Sequence, residues 1–269
     1  MSIAIVIPAR YASTRLPKKP LIKIAGTEMV LRVYDIAKKA MEGLSDCTAV
    51  VATDHGEIYD FCVAHDVPVV MTDPNCPTGS DRVCEALAQL PQMPDFVVNL
   101  QGDNPLCPPW FVRQMIDAYL ENPATTQVVT AAVHLSWEAL DNLRESKKTT
   151  PFSGTTVTFD DDHFALWFSK NIIPAIQKEA KWRETLPMSP NFRHIGLYGY
   201  RTDTLHRFVK LPQGRLEKIE GLEQLRFLEN RIPIKIVEVD YKGRPAMNGV
   251  DSPEDRDKAE RLIQEYGEF

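Results

Sequence analysis

The first half of this chain alternates short apolar runs with longer amphipathic segments, and this alternation limits the folds that the chain can adopt. The first run, Ile3–Ile7, is rich in β-branched residues, which is typical of a strand buried on both faces of a parallel sheet. Regular alternation predicts βαβ units with right-handed crossovers, and hence an α/β fold with a mostly parallel sheet. The predicted strands are Ile3–Ile7, Thr48–Thr53, Val67–Met71, Phe96–Leu100 and Gln127–Val133, and the predicted helices are Glu28–Met41, Glu57–His65, Ser80–Leu90 and Pro109–Glu121.

The rhythm changes after about residue 145. Gly154–Asp160 and Phe164–Phe168 read as a hairpin, and residues 145–235 are predicted to form an antiparallel insertion within one domain spanning 1–269. The insertion is rich in aromatic residues, which fits either a core or the surface of a homodimer. The other predicted elements are the strands His194–Tyr200 and Ile234–Val239 and the helices Leu216–Asn230 and Pro253–Tyr266.

Composition excludes several classes of protein. A net charge of −6 argues against a general nucleic-acid binder, because such domains are usually basic. No apolar run approaches the roughly 20 residues of a membrane span, so no membrane insertion is expected. The five cysteines are odd in number and contain no C-x-x-C pair, which favours reduced thiols and a cytoplasmic location.

A basic loop follows the first strand. It carries Arg10, Arg15, Lys18 and Lys19 and no acid, at the edge of the sheet where open α/β folds bind ligands. Neither a G-x-G-x-x-G turn nor a P-loop motif is present, so side chains rather than backbone amides would neutralise a phosphate group. The loop therefore predicts a site for a polyanion, and it suits a triphosphate that loses pyrophosphate.

Two carboxylates complement this loop. Asp103 follows the predicted strand Phe96–Leu100 in the motif NLQGDNP, where Gly102 is expected to let a ligand approach the backbone. Asp251 precedes the predicted N-cap Ser252 of the closing helix, so helix initiation does not account for its carboxylate. Because Mg²⁺ takes one or two carboxylates together with phosphate oxygens, both residues are candidate magnesium ligands.

Other candidate functional residues can also be explained by a purely structural role. Ser80 and Arg82, in the turn TGSDR, could read a base edge, although a helix capped at Ser80 explains the turn equally well. His194 lies in a strand-like run, where a lone histidine is more often a core residue than a ligand. Glu223 and Gln224, placed on the helix Leu216–Asn230, would ordinarily be surface residues.

Seven motifs in order carry a family resemblance: IPARYASTRLPKKPL, ATD, TGSDR, NLQGDNP, FRHIGLYGYR, LEQLR and GVDSPED. In this respect the chain resembles the 3-deoxy-manno-octulosonate (Kdo) cytidylyltransferases over nearly its whole length. The resemblance implies a homodimeric, Rossmann-like nucleotidyltransferase of lipopolysaccharide biosynthesis. It also implies a reaction in which CTP and a 2-keto-3-deoxy sugar acid give a CMP-sugar and pyrophosphate, with Mg²⁺ as the cofactor.

The resemblance also implies roles for individual residues. Arg10, Arg15 and Lys19 match the family's triphosphate loop, and Ser80 and Arg82 match its cytidine-binding turn. Asp103 and Asp251 match its magnesium carboxylates, which with Arg10 and Lys19 form the expected catalytic group. The positions that line the family's sugar pocket are matched here by Gln101, His194, Tyr198, Glu223 and Gln224.

Several positions depart from the family pattern. Lys18 stands in PKKP where PGKP is common, and Asn104, Thr156 and Lys170 stand where Glu, Lys and Arg are usual. Three of these four lie outside the nucleotide motifs, so the sequence predicts CTP use more firmly than it predicts Kdo. Poor use of Kdo is expected, and 8-amino-Kdo, a sialic acid or a small phosphonate remains open as the true acceptor.

Two functions of other classes also remain open. A sugar-nucleotide glycosyltransferase would use Asp160–Asp162 as its metal motif, although aspartates are favoured in such a turn in any case. A non-catalytic nucleotide sensor could share the fold, although it would not need both metal carboxylates.

Overall fold

The computed structural model describes residues 1–12, 15–246 and 249–269, and these divide into two compact units. The first unit comprises Met1–Asp117, Leu197–Val209 and Tyr241–Phe269, and the second comprises Ala118–Gly196 and Lys210–Asp240. The motif residues Ser13 and Thr14, together with Met247 and Asn248, lie outside the described residues.

The first unit is built on a mostly parallel sheet. Strand β1 lies between β4 and β6 and is parallel to both, β5 extends the sheet beyond β4, and the C-terminal half of β10 pairs antiparallel with β6. Its elements are β1 (Ile3–Ala9), a 3-10 turn (Lys19–Leu21), β2 (Lys23–Ile24), β3 (Thr27–Glu28), α1 (Met29–Met41), β4 (Cys47–Thr53), α2 (Gly56–Ala64), β5 (Val69–Met71), α3 (Gly79–Leu87), β6 (Phe96–Asn99), the first part of α4 (Pro109–Glu121), the end of β10 (Phe192–Arg201), α7 (Thr202–Phe208) and α10 (Pro253–Tyr266).

Burial explains why β1 forms the centre of this sheet. Every residue of Ile3–Ile7 is buried, as the unbroken apolar run predicts for a strand covered on both faces. Polar residues then follow at the carboxyl end, where the strand leaves the core. The central strand therefore delivers the basic loop to one edge of the sheet.

The second unit contains β7 (Val128–His134) parallel to β11 (Ile234–Glu238). The hairpin β8 (Thr156–Phe159) and β9 (Ala165–Ser169) is antiparallel, and β8 also pairs antiparallel with the start of β10. Its helices are α5 (Trp137–Ser146), α6 (Glu179–Thr185), α8 (Arg215–Glu220) and α9 (Leu225–Glu229). The unit is thus longer than the predicted insertion and includes a parallel strand pair as well as the predicted hairpin.

The predicted strands are all present within a few residues of their predicted ends, and so are the helices of the first half. The single helix predicted over Leu216–Asn230 is wrong. Gly221 adopts a left-handed conformation with φ of 60°, which ends α8 and leaves a turn before α9 begins at Leu225. Helices α5, α6 and α7, of 10, 7 and 7 residues, were not predicted.

Within the described residues, the structure contains no helix with both the length and the apolar character needed to cross a membrane.

Candidate active site

A cleft of about 370 Å³ opens in the first unit at the carboxyl ends of β1 and β6. This is the sheet edge at which the sequence predicts a polyanion site. The predicted site residues among its lining are Arg10, Arg15, Lys19, Arg82, Gln101, Asp103 and Asp251. Seven of the twelve predicted residues are therefore brought to one place from four separate parts of the chain.

The two adjacent lysines of the basic loop contact different carboxylates. Lys19 is 11% exposed, and its Nζ atom donates hydrogen bonds to Asp103 Oδ2 at 2.8 Å and Asp251 Oδ1 at 2.9 Å. Lys18 has a left-handed backbone with φ of 56°, and its Nζ atom instead pairs with Glu57 Oε1 at 2.7 Å. Of the loop's four cations, Arg10, Arg15 and Lys19 therefore serve the cleft and Lys18 does not.

Two glycines set the position of Asp103. A Cβ atom on Gly102 would lie 2.3 Å from the carbonyl oxygen of Pro8, so only glycine fits against β1 there. The close neighbour that Gly102 accommodates is the protein's own backbone; Gly102 also lines the cleft, and its expected role of letting a ligand approach stays a prediction. Gly249 packs similarly, since its Cβ would lie 3.1 Å from Asp103 Oδ1, and the next amide, of Val250, donates to the Asp103 carbonyl.

Asp251 is held at the start of the closing helix. Ser252 caps α10 and forms a capping box with Asp255, as predicted, and the Asp255 carboxylate also accepts from the Asp251 amide. Burial alone would raise the pKa of Asp251, but the hydrogen bond from Lys19 and the charges of Lys19, Arg15 and Arg10 hold that pKa below its ordinary value. Asp251 is thus a carboxylate at neutral pH.

The opposite side of the cleft is formed by the start of α3. Thr78, and not Ser80, is the N-cap: its Oγ1 accepts from the Asp81 amide at 3.2 Å, and Asp81 completes a capping box. The expectation of a cap at Ser80 is therefore wrong by two residues. Ser80 is buried beneath the turn, with its hydroxyl 3.5 Å from that of Tyr200, and it is not among the cleft's lining residues.

Arg82 is fixed by a partner that the motif reading missed. Its Nη2 atom donates to Asp54 Oδ2 at 3.0 Å and its Nη1 atom to Thr72 Oγ1 at 2.5 Å, and the side chains of Arg82 and Asp54 are only 5% and 9% exposed. Asp54 Oδ1 also accepts from the amide of Tyr11 in the basic loop. Asp54 follows β4 in the motif ATD, and its place at the end of a predicted strand was the only sequence signal for it.

The carboxylate pair fits a divalent cation. Asp103 and Asp251 each place one oxygen within hydrogen-bond distance of the same ammonium group, so a positive charge already bridges them. Among the described residues there is no group of three or more His, Cys, Asp or Glu side chains that could hold a metal alone. A site with two protein carboxylates suits Mg²⁺ that also takes phosphate oxygens from a substrate.

His194 lies in the second unit and resembles a core residue. Its Nε2 atom is 2.9 Å from Thr130 Oγ1, and Phe168 packs edge-on against its ring. Burial lowers the pKa of His194 to about 3, so the ring is neutral near pH 7. If it contacts a substrate, it does so as a hydrogen-bond partner and not as a cation.

Glu223 and Gln224 also lie in the second unit, in the turn between α8 and α9. Gln224 is buried and Glu223 is partly buried, so the expectation that they are surface residues of a continuous helix is wrong. The adjoining helices are joined by a buried ion pair, in which Arg226 donates to both carboxylate oxygens of Glu217 at 2.8 and 2.6 Å. Tyr198 belongs to the first unit, where its ring stacks against that of Tyr200.

Two of the residues that depart from the family pattern, Thr156 and Lys170, form hydrogen bonds within the second unit. The buried Thr156 hydroxyl donates to the Asn171 carbonyl at 2.7 Å and accepts from the Ile173 amide at 3.0 Å. The Lys170 amide donates to Glu220. Asn104 has a buried side-chain oxygen to which the described residues offer no hydrogen bond.

Aspartates of the hairpin turn accept hydrogen bonds from residues in and beside that turn. Asp160 Oδ1 accepts from the Phe164 amide at 2.7 Å, and the Asp160 carbonyl accepts from the His163 amide at 2.9 Å. The Asp162 carbonyl accepts from Lys235 at 2.6 Å. This arrangement favours the plain turn over a glycosyltransferase metal motif at Asp160–Asp162.

Comparisons with known proteins show the family to which the chain belongs. The family model described as cytidylyltransferase matches residues 4–236. The chain is 44% identical, over all of both sequences, to a 3-deoxy-manno-octulosonate cytidylyltransferase of Maricaulis maris, and 39% identical over 96% of each to one of Acinetobacter baumannii strain AYE. A solved structure of a CMP:2-keto-3-deoxy-manno-octonic acid synthetase complexed with CTP matches with a TM-score of 0.83 and 30% identity, covering 98% of this chain and 99% of that one.

This chain belongs to the cytidylyltransferase family. The Rossmann-like α/β fold with a mostly parallel sheet and an antiparallel portion, predicted from the sequence, is confirmed.

Proposed function

We propose that this member of the cytidylyltransferase family joins CTP and the sugar acid Kdo to give CMP-Kdo and pyrophosphate. The observation that carries the proposal is the cleft of the first unit, which gathers four cations, one of them Arg82 paired with Asp54, and two carboxylates at the carboxyl ends of β1 and β6. Its relatives at 44% and 39% identity over essentially full length are named for this activity.

In the proposed reaction, the anomeric hydroxyl of the sugar acid attacks the α-phosphorus of CTP in line, and the bond to the pyrophosphate oxygen breaks. Arg10, Arg15 and Lys19 bind the β- and γ-phosphates and stabilise the negative charge that gathers on the leaving pyrophosphate. Arg82, oriented by Asp54, donates to the cytidine half of the nucleotide. Catalysis then comes mainly from positioning and charge stabilisation.

Asp103 and Asp251 are proposed to hold Mg²⁺, which when bound supplies charge stabilisation at the α-phosphate and lowers the pKa of a coordinated hydroxyl. The chain's contribution is to bring two carboxylates that are distant in the sequence within reach of one cation. No general base is assigned.

Gln101 lines the cleft beside Asp103, and it is proposed to contact the sugar acid together with Tyr198, His194, Glu223 and Gln224. The last three belong to the second unit and are proposed for this role on the family resemblance. A neutral His194 would donate or accept one hydrogen bond from a sugar hydroxyl.

The test is a pyrophosphate-release assay with CTP, UTP, ATP and GTP against a panel of 2-keto sugar acids. We expect release with CTP and Kdo to exceed release with any purine nucleotide by at least about a hundredfold. Equal rates with all four nucleotides would contradict the assignment. The same panel tests the prediction from Asn104, Thr156 and Lys170 that Kdo is used poorly, since a higher kcat/KM for 8-amino-Kdo or a phosphonate would identify a different acceptor.

A homodimer formed through the second unit is also proposed. Several of this unit's large apolar side chains are exposed, including Phe152 at 76%, Leu166 at 61% and Ile219 at 69%. Other members of its aromatic set are core residues instead, as the fully buried Phe168 shows. Light scattering at micromolar concentration should give about twice the 30.4 kDa chain mass, and a monomer would refute the proposal.

A further inference from the structure

The ammonium group of Lys19 lies between the two carboxylates proposed to hold the metal. It is 2.8 Å from Asp103 Oδ2 and 2.9 Å from Asp251 Oδ1, so it makes two charge-assisted hydrogen bonds. Its side chain is 11% exposed, whereas the carboxylates are 33% and 44% exposed. Lys19 is therefore the most buried of the three groups, although it too lines the cleft.

The local backbone holds Lys19 in this position. Lys18 has a left-handed conformation and Pro20 fixes the next φ, so residues 19–21 form a rigid 3-10 turn. The adjacent cation, Lys18, points elsewhere and pairs with Glu57. Arg15 approaches Asp251 only at 3.4 Å, with its side chain 66% exposed. One cation of the loop, and not the loop's charge in general, bridges the carboxylate pair.

We propose that Lys19 is an exchangeable internal cation that bridges Asp103 and Asp251 until a divalent metal ion replaces it. This inference rests on the proposed metal role of these carboxylates within the proposed function. A divalent ion held by these two carboxylates would lie close to the Lys19 ammonium, and like charges repel strongly at short distances. This repulsion drives the ammonium off both hydrogen bonds as the metal enters.

The exchange couples the metal to the nucleotide. A displaced ammonium loses two anionic partners, and the β- and γ-phosphates of CTP offer new ones within the same cleft. The metal alone must compete with Lys19, whereas a metal that arrives with the triphosphate supplies the partner that Lys19 needs. The same residue thus disfavours metal binding without nucleotide and assists it when nucleotide is present, which is a coupling between two ligands.

The first test measures the affinity for Mn²⁺, used alone as a spectroscopic probe, by the electron paramagnetic resonance signal of the free ion. We expect Lys19→Met to bind Mn²⁺ at least about tenfold more tightly than the parent protein, because a single charge-assisted hydrogen bond is worth about that factor. Lys19→Arg, which keeps the charge, should show no such gain. Lys18→Met is the matched control, since it removes the adjacent cation without touching the carboxylates.

Three outcomes of this titration overturn the proposal. One is an unchanged affinity in Lys19→Met. Another is an equal gain in Lys18→Met, which would assign the effect to general electrostatics. The third is a gain that persists in Lys19→Met/Asp251→Asn, because the metal would then lie elsewhere.

The second test uses the unmodified protein, so it does not depend on the folding of a variant. Acetylation of lysines by acetic anhydride is followed by mass spectrometry with and without saturating Mg²⁺. We expect Mg²⁺ to raise the labelling rate of Lys19 severalfold and to leave that of Lys18 unchanged. An unchanged or slower rate for Lys19 would show that the metal does not displace it.

Pyrophosphate release by the parent protein separates this inference from the proposed function. An active enzyme whose Lys19 labelling ignores Mg²⁺ would refute the exchange alone. An inactive protein whose Lys19 responds to Mg²⁺ as expected would refute the proposed reaction alone.

Discussion

Replacing Asp54 by asparagine should destabilise the first unit and weaken CTP binding, although Asp54 is not among the residues that line the cleft. The substitution keeps the shape of the side chain and an acceptor for the Tyr11 amide, which donates to Oδ1 at 2.8 Å. It removes the negative charge that faces the Arg82 guanidinium at 3.0 Å. The change is therefore one of charge at nearly constant volume.

The expected magnitude follows from burial. The side chains of Arg82 and Asp54 are 5% and 9% exposed, so water can replace little of the lost interaction. Removing one partner of such a buried pair costs about 3 kcal/mol, because the other charge stays buried without compensation. Arg82 retains its hydrogen bond to Thr72, which limits the loss. Since domains are stable by about 5–15 kcal/mol, the variant should still fold.

The assay is urea unfolding of the parent protein, Asp54→Asn, Arg82→Met and the double variant, with CTP affinity measured by calorimetry on each. We expect Asp54→Asn to lose about 3 kcal/mol and at least about tenfold in CTP affinity, and the double variant to cost much less than the sum of the single changes. Asp60→Asn, an exposed aspartate on α2, is the matched control and should change stability by less than about 0.5 kcal/mol.

A loss below about 1 kcal/mol in Asp54→Asn, or additive effects in the double variant, would refute this reasoning. Either result would mean that the Arg82 charge is compensated by groups other than Asp54.

Three further predictions concern the cleft and the second unit. Asp103→Asn and Asp251→Asn should each lower kcat at least about a hundredfold at saturating Mg²⁺ while the protein stays folded, and near-full activity would exclude that residue as a ligand. Arg10→Ala should weaken CTP binding in calorimetry far more than CMP binding, because its charge is directed at the β- and γ-phosphates, and equal losses would contradict that placement. His194 has a pKa of about 3 in the folded chain against about 6.5 in the unfolded chain, so below pH 6.5 the free energy of unfolding should fall by about 1.4 kcal/mol per pH unit as the pH decreases toward 3. In urea unfolding at pH 7, 6 and 5, the His194→Gln variant should lack that part of the decline. An identical pH profile for the variant and the parent protein would show that the ring is not buried as a neutral group.

The sequence predicts the first unit well because two strong signals agree there. The β-branched run Ile3–Ile7 is typical of a buried strand, and the carboxyl ends of neighbouring parallel strands lie at the same edge of the sheet. Cations after β1 and a carboxylate after β6 are therefore brought together by topology alone. This is why the loop residues and Asp103 could be assigned to one cleft without a structure.

The pairing of individual charges was not predictable in the same way. Lys18 and Lys19 are adjacent and chemically identical, and the left-handed backbone of Lys18 decides which of them meets the carboxylates. The role of Asp54 was hidden for a related reason. Its partner Arg82 lies on a helix 28 residues away, and no periodicity or spacing links the two.

The second unit was harder to predict because its conformation depends on single residues. The apolar pattern of Leu216–Asn230 fits one helix, but Gly221 takes a left-handed conformation and breaks it. That break moves Glu223 and Gln224 from a helix surface into a turn, where Gln224 becomes buried. An error in one glycine's conformation thus changed the expected environment of two candidate sugar-binding residues.

The balance of charge in the cleft determines how strongly the cleft would attract a triphosphate. Arg82 is neutralised by Asp54, so the free charge of the cleft consists of Arg10, Arg15 and Lys19 against Asp103 and Asp251. Three cations outnumber two carboxylates by only one, which is a weak attraction for a polyanion in the absence of metal. A divalent ion between the carboxylates would add two positive charges and release Lys19 toward the phosphates. We therefore expect the affinity for CTP to rise when the metal is bound, and we expect the loop's cations to act also on the charge that develops as pyrophosphate leaves.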